Sequence, residues 1–178
     1  MAASYIEWAR GLFSSAATRN WLTHAVRTAL AAVASLIVAR LCRMPEAYWA
    51  PITTIIVMQS TLGAAWAASK QRLIGTALGA AVGALVASYF DRGIIVFGVA
   101  IFALGLICAL LRLDQSAYRF AGVTLTIVVL IARPQAPWIT GIHRFVEVSL
   151  GIAVALVFTA VWPPQDLPSL QNAHQPPS

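Results

Sequence analysis

Charge is scarce in this chain. Of its 178 residues only 10% are Asp, Glu, Lys or Arg, and only six are acidic. The sequence holds no paired carboxylates for acid–base catalysis, no Ser, His and Asp arrangement, no phosphate-binding glycine loop and no metal-ligand spacing. Enzyme activity is therefore not expected, and neither is a metal or any other cofactor. Cysteine is also sparse: Cys42 ends one apolar run and Cys108 lies within another, which suits buried thiols and excludes a disulfide framework. A continuous apolar core is missing between Met1 and Asn20, where Glu7, Arg10 and Arg19 intervene. No removable signal peptide is read there, so the first span must itself direct insertion.

What fills the chain instead is apolar surface, 60% of residues, with a mean hydropathy of +0.78. A soluble domain of this size has too little interior to hide that much, so the fold class expected is an all-α integral membrane protein. The net charge of +6 would suggest nucleic acid in a soluble chain. Here the twelve basic residues stand singly at the ends of apolar runs, as anchors to membrane lipids do, and no nucleic acid partner is expected.

Three regions follow. Residues 1–20 read as an amphipathic interfacial segment, with Tyr5, Trp8, Leu12, Phe13 and Ala16 at helical spacing. Residues 21–162 read as a six-span transmembrane domain: Trp21–Leu41, Tyr48–Leu62, Leu73–Phe90, Ile94–Leu111, Phe120–Ala132 and Arg144–Trp162. Residues 163–178, rich in Pro, Gln, Ser and Asn, read as a disordered tail. The second span is short, with Pro51 in its first turn and Gly63 as a cap beyond its far end. Lys70 and Arg72 then read as a basic turn into the third span, where Gly75, Gly79 and Gly83 recur every four residues and leave one face bare for close helix approach. The fifth span is short as well and carries Thr124 and Thr126. An even number of spans puts both termini on one side. Arg10, Arg19, Lys70, Arg72, Arg112 and Arg119 on that side, against Arg40, Arg43, Arg92, Arg133 and Arg144 on the other, favour cytoplasmic termini.

One constant shift of 72 positions aligns the first three spans with the last three. It places Arg40 on Arg112, Thr54 on Thr126, Arg72 on Arg144, and Leu78, Gly79, Ala81 and Val82 on Leu150, Gly151, Ala153 and Val154. Three spans per copy is an odd number, so the second copy enters the membrane from the opposite side, and the domain is expected to be a 3+3 inverted repeat. In transporters of that design the site is sought at corresponding short segments, here spans two and five.

Ionisable residues inside a membrane are functional candidates because each costs about 2.5 to 3.5 kcal/mol to insert. Glu147 lies one turn inside Arg144, which fits either a proton carrier or a structural ion pair. Arg40, Arg72 and Arg112 read as span-end residues that snorkel to the interface. His24 and Arg27 share a face of the first span, where they fit either a substrate carboxylate or lipid phosphate. Gln59, Ser60 and Thr61 fit either a pathway wall or interhelical glue.

The stretch from Tyr48 to Gly83 resembles the fusaric acid resistance and aromatic acid exporter family. The resemblance rests on Tyr48, Trp49 and Pro51; on Val57, Met58, Gln59, Thr61 and Gly63; and on Arg72, Gly75, Thr76 and Gly79. Arg144, Glu147 and Gly151 are similar to the same family's closing helix. What the resemblance implies is an inner-membrane protein that exports aromatic carboxylic acids, driven by the proton gradient, with kinship to plant malate channels. A homodimer is expected by analogy with larger exporters. The alternatives are a passive anion channel and a membrane assembly subunit without transport of its own.

Overall fold

The computed structural model describes residues 16–59, 61–91, 93–131 and 135–162. Among them the regular elements are all α-helices, in the order α1 (Ala16–Leu41), α2 (Trp49–Val57), α3 (Leu62–Tyr89), α4 (Ile94–Leu110), α5 (Gln115–Leu130) and α6 (Pro137–Val161). Three helices are long and apolar enough to cross a membrane: α1 from Trp21, α3 and α6. Helices α4 and α5 are shorter apolar helices, and α2 has nine residues. The outer surface is apolar, with Trp21, Leu41, Ile95 and Leu110 standing free and Ile94 90% exposed. Lipid tolerates such a surface, whereas water does not. Of the interfacial segment expected over residues 1–20, residues 1–15 lie outside the described residues, as do the tail 163–178 and Ser60, while residues 16–20 already belong to α1.

The long antiparallel pair α3 and α6 forms the centre. The site where Gly141 would carry a Cβ abuts Ala80, while Leu62 and Trp66 lie beside Leu156 and Ala160 at the other end. Each long helix carries a short one parallel to it. On α3 the bare face meets α5: a Cβ at Gly75 would strike the Ala117 carbonyl, one at Gly79 the Ala121 carbonyl, and one at Gly83 would stand 3.1 Å from Val128. On α6, a Cβ at Gly151 would strike the Ala50 carbonyl and the Thr53 side chain of α2. Small residues thus let backbones touch where no hydrophobic driving force separates helix from lipid. One apolar cluster joins Ala100, Leu104 and Cys108 of α4 to Ala121, Leu125 and Val129 of α5. Another joins Val57 of α2 to Val148, Ile152 and Ala155 of α6.

Several boundaries differ from the sequence expectation. The second span ends at Val57, and α3 starts at Leu62 with Thr61 as its N-cap, its Oγ1 accepting from the Ala64 N–H at 3.2 Å. Gly63 therefore lies in the first turn of α3 and is no C-cap. No basic turn exists at Lys70 and Arg72. The Ala-rich run before them is a strong helix former behind a good cap, and two charges do not stop it. Arg72 consequently lies ten residues inside a helix and is 5% exposed, so it does not snorkel from a span end. Likewise α6 begins at Pro137, whose missing N–H is harmless at a helix start. That puts Arg144 and Glu147 deep in its body and not in a first turn. Lying inside helices, Arg19, Lys70, Arg72 and Arg119 drop out of the loop charge count on one side and Arg40 and Arg144 on the other, so the count no longer favours cytoplasmic termini. Helix α5 begins five residues before Phe120.

Helices α1 and α4 end alike. Arg43 and Arg112 both take φ of 53°, and the next N–H in each case reaches back, Met44 to the Ala39 carbonyl and Leu113 to the Cys108 carbonyl. This is the left-handed closure that satisfies terminal carbonyls. The counterpart of Arg112 there is Arg43 and not Arg40, so the shift of 72 does not hold at these two ends. Past α2 and α5 the chain turns extended at Met58 and Ile131, with ψ of 104° and 103°.

Candidate functional site

Two polar clusters lie inside the bundle, about 22 Å apart along α6 by helical rise. The first is built on α3 and α6. Arg144 and Glu147, each 1% exposed, are three residues apart on one face of α6, and Nη1 of Arg144 donates to Oε2 of Glu147 at 3.2 Å. The Arg144 guanidinium lies 3.7 Å from the centre of the Trp49 ring. That indole also donates through Nε1 to Oε2 of Glu46 at 3.0 Å, and the Glu46 N–H donates to Oε1 of Glu147 at 3.2 Å. The turn before α2 is thereby tied to the middle of α6. Away from water, such charges persist only when paired and hydrogen-bonded, and a cation gains more from an aromatic face there than in solvent.

Arg72 is held differently. Its Nε and Nη2 both donate to Oγ1 of Thr53, at 3.2 and 3.1 Å, and its guanidinium lies 4.7 Å from the centre of the Phe120 ring. Both partners are neutral. No carboxylate among the described residues pairs with Arg72, and Thr53, which holds it, stands one turn along α2 from Trp49, which carries Arg144. The middle of the bundle thus holds a guanidinium with hydrogen-bond partners and no counter-charge. Thr53 hangs from α2 and Phe120 from α5, so both short helices grip it.

The second cluster joins the first half of α1 to the end of α6. Arg27, 3% exposed, donates through Nη1 to the Trp162 carbonyl at 2.8 Å and through Nη2 to the Gln59 carbonyl at 2.6 Å. Its Nη2 also lies 3.4 Å from Nδ1 of His24. Carbonyls past a helix end lack intrahelical donors and carry the negative end of its dipole. Arg27 answers both needs for α6 and for the extended chain after α2. The Gln59 side chain turns back to the Ile56 carbonyl at 3.2 Å.

The structure therefore brings His24, Arg27 and Gln59 together, and separately Trp49, Arg72, Arg144 and Glu147, but does not join the two sets. Tyr48 is exposed, its ring 5.5 Å from that of Trp49, and Pro51 is half-buried in α2. Thr61 caps α3 at the surface. Thr124 and Thr126 bond to the Phe120 and Gly122 carbonyls of their own helix, and Thr76 is buried on α3. Three residues of the central cluster, Glu46, Thr53 and Phe120, were not among the sequence candidates. Glu46 had a signal, since it is one of only six acids. Thr53, a polar residue on a nine-residue apolar helix, had a weaker one, and Phe120 had none.

Against known proteins, the family described as "Fusaric acid resistance protein-like" matches residues 29–158. Inner membrane protein YeeA of Escherichia coli (strain K12) is 26% identical over 144 residues, which cover 80% of this chain and 41% of that protein. The uncharacterized protein slr1298 of Synechocystis sp. is 26% identical over 136 residues, 76% of this chain and 18% of that protein. The chain thus spans less than half the length of either relative. No solved structure matches it significantly.

Proposed function

The chain belongs to the fusaric acid resistance protein-like family, and on that premise we propose that this membrane protein is an inner-membrane transporter exporting organic acid anions, aromatic ones among them, with proton coupling. The observation that carries the reading is Arg72, a buried guanidinium at mid-helix held by a hydroxyl and an aromatic face and lacking a counter-anion. A planar fork of this kind suits a carboxylate. A carboxylate arriving there gains a charge-assisted bond where water does not compete, and it relieves the repulsion between Arg72 and Arg144. Glu147, beside Arg144, is the proposed proton carrier: protonation weakens its hold on Arg144 and leaves a second guanidinium for the anion.

The arrangement proposed is an inverted repeat of three helices, six crossings in all, whose halves rock about Arg72 and Arg144. It is supported by corresponding pairs: α5 lies along α3 and α2 along α6, Arg72 sits over Phe120 and Arg144 over Trp49. Thr54 and Thr126 each bond to the carbonyl four residues back. A homodimer is proposed with it, seated on the apolar grooves between α3 and α6 that contain Trp66 and Trp138. A monomeric mass in detergent would remove that part.

The test is flux of an aromatic acid into liposomes holding the purified protein. Arg72→Gln is expected to lower flux at least tenfold while leaving expression and assembly intact. Glu147→Gln keeps one oxygen, which can serve either the Glu46 N–H or Arg144 but not both positions, and is expected to abolish accumulation against a gradient but spare downhill flux. Undiminished flux in Arg72→Gln would sink the site assignment. Electrogenic flux without proton dependence would establish the passive channel instead, and no flux from the native protein would favour an assembly subunit.

A further inference from the structure

We propose that the notch between α3 and the α4–α5 turn binds the phosphate of an anionic phospholipid, with Lys70 and Arg112 as its two cations. The notch is a cavity of about 260 Å³ whose lining includes Lys70, Gln71, Ile74, Arg112, Leu113 and Asp114. It lies on the flank of α3 away from the hydrogen bonds of Arg72 and has no part in the central cluster. Neither Lys70 nor Arg112 pairs with a carboxylate among the described residues. Lys70 leans on the Trp66 ring, 5.5 Å from its centre. Asp114 is held by the Gln71 amide, which donates to Oδ2 at 2.8 Å and supplies no charge. Two cations and one carboxylate leave the lining with one net positive charge, the complement of one phosphodiester.

The surroundings select a lipid over a free phosphate. Ile74 and Leu113 wall the notch, and beside it Leu110 and Leu111 are 86% and 55% exposed. The cations therefore stand next to exposed apolar surface, as a headgroup with its acyl chains alongside requires. Arg112 itself occupies a left-handed position, φ 53°, with the Leu113 N–H bonded to the Cys108 carbonyl at 2.9 Å. Glycine is the residue such a closure favours. Arg112→Gly therefore removes the cation and keeps the turn, which separates loss of binding from loss of fold.

The experiment titrates the detergent-solubilised full chain with dioleoylphosphatidylglycerol and follows thermal unfolding. Dioleoylphosphatidylcholine and inorganic phosphate serve as comparison ligands. Phosphatidylglycerol is expected to raise the melting temperature of the native protein, with apparent affinity weakened about fivefold by Lys70→Gln, about fivefold by Arg112→Gly, and about 25-fold by both. Equal affinity in the double variant would overturn the site. A shift of the same size with inorganic phosphate would overturn the lipid as its source, equal stabilisation by phosphatidylcholine would overturn the role of lipid charge, and no stabilisation by phosphatidylglycerol would overturn the proposal outright. None of these readouts depends on transport.

Discussion

Replacing Arg144 with methionine is expected to lower the unfolding free energy by about 3 to 5 kcal/mol. Arg144 is the cation that Glu147 faces from within one helix, at 3.2 Å, and Glu147 is 1% exposed. Without Arg144 the carboxylate is left in a low-dielectric interior, and Trp49 loses the guanidinium on its face. Methionine replaces the aliphatic stem but ends near the position of Nε, so the loss combines the stranded charge with the space vacated over Trp49. The double variant Arg144→Met, Glu147→Leu removes both charges and is expected to recover most of the stability, since a buried ion pair costs nearly as much to desolvate as it returns. Denaturant unfolding in detergent micelles, read by tryptophan fluorescence, measures both. A double variant as unstable as the single one would show that the loss comes from packing and not from a stranded charge.

Gly79→Leu is expected to be comparably damaging, about 3 kcal/mol, through a different mechanism. The obstacle to its Cβ is the Ala121 carbonyl and Cα, backbone atoms of α5 that have no rotamer to move into. The two helices must separate, opening the contact over which Gly75 and Gly83 also touch α5, and a forced fit of this kind falls at the upper end of overpacking costs. Gly98 on α4 is the internal control. Nothing lies within 4 Å of a Cβ there, so Gly98→Ala is expected to stabilise by about 0.5 to 1 kcal/mol through helix propensity alone. Thermal unfolding of the two variants side by side should shift in opposite directions. If Gly79→Leu unfolds like the native protein, the α3–α5 contact is not close-packed in the membrane.

The sequence and the structure agree in kind and diverge in register. Apolar runs long enough to be helices were visible because burial in lipid demands them of every residue in the run. The beginnings of helices were not. Lys70 and Arg72 looked like a turn because charge near a membrane normally marks an interface, yet Ala64 to Ser69 supply uninterrupted helix propensity behind the Thr61 cap. Local energetics continued the helix, and neighbours from α2 and α5 absorbed the charge of Arg72. Glu147 likewise reads as lying near a surface, yet Pro137 starts α6 well ahead of Arg144 and carries both residues into the helix body.

What the sequence determined by itself is the class and the family: scarcity of charge and an excess of apolar residues select a helical membrane protein, and the motif from Tyr48 to Gly79 selects its relatives. It also determined which residue types the membrane would have to accommodate, among them Arg27, Arg72, Arg144 and Glu147. Only the tertiary structure decided how each is accommodated: Arg27 by backbone carbonyls at the ends of two segments, Arg144 by Glu147 and Trp49, and Arg72 by the neutral Thr53 and Phe120. The reason is that a charge in a low-dielectric interior is governed by whatever lies within a few ångströms of it. For Arg72 those neighbours come from helices 19 and 48 residues away in the chain, a distance over which no sequence spacing fixes a contact.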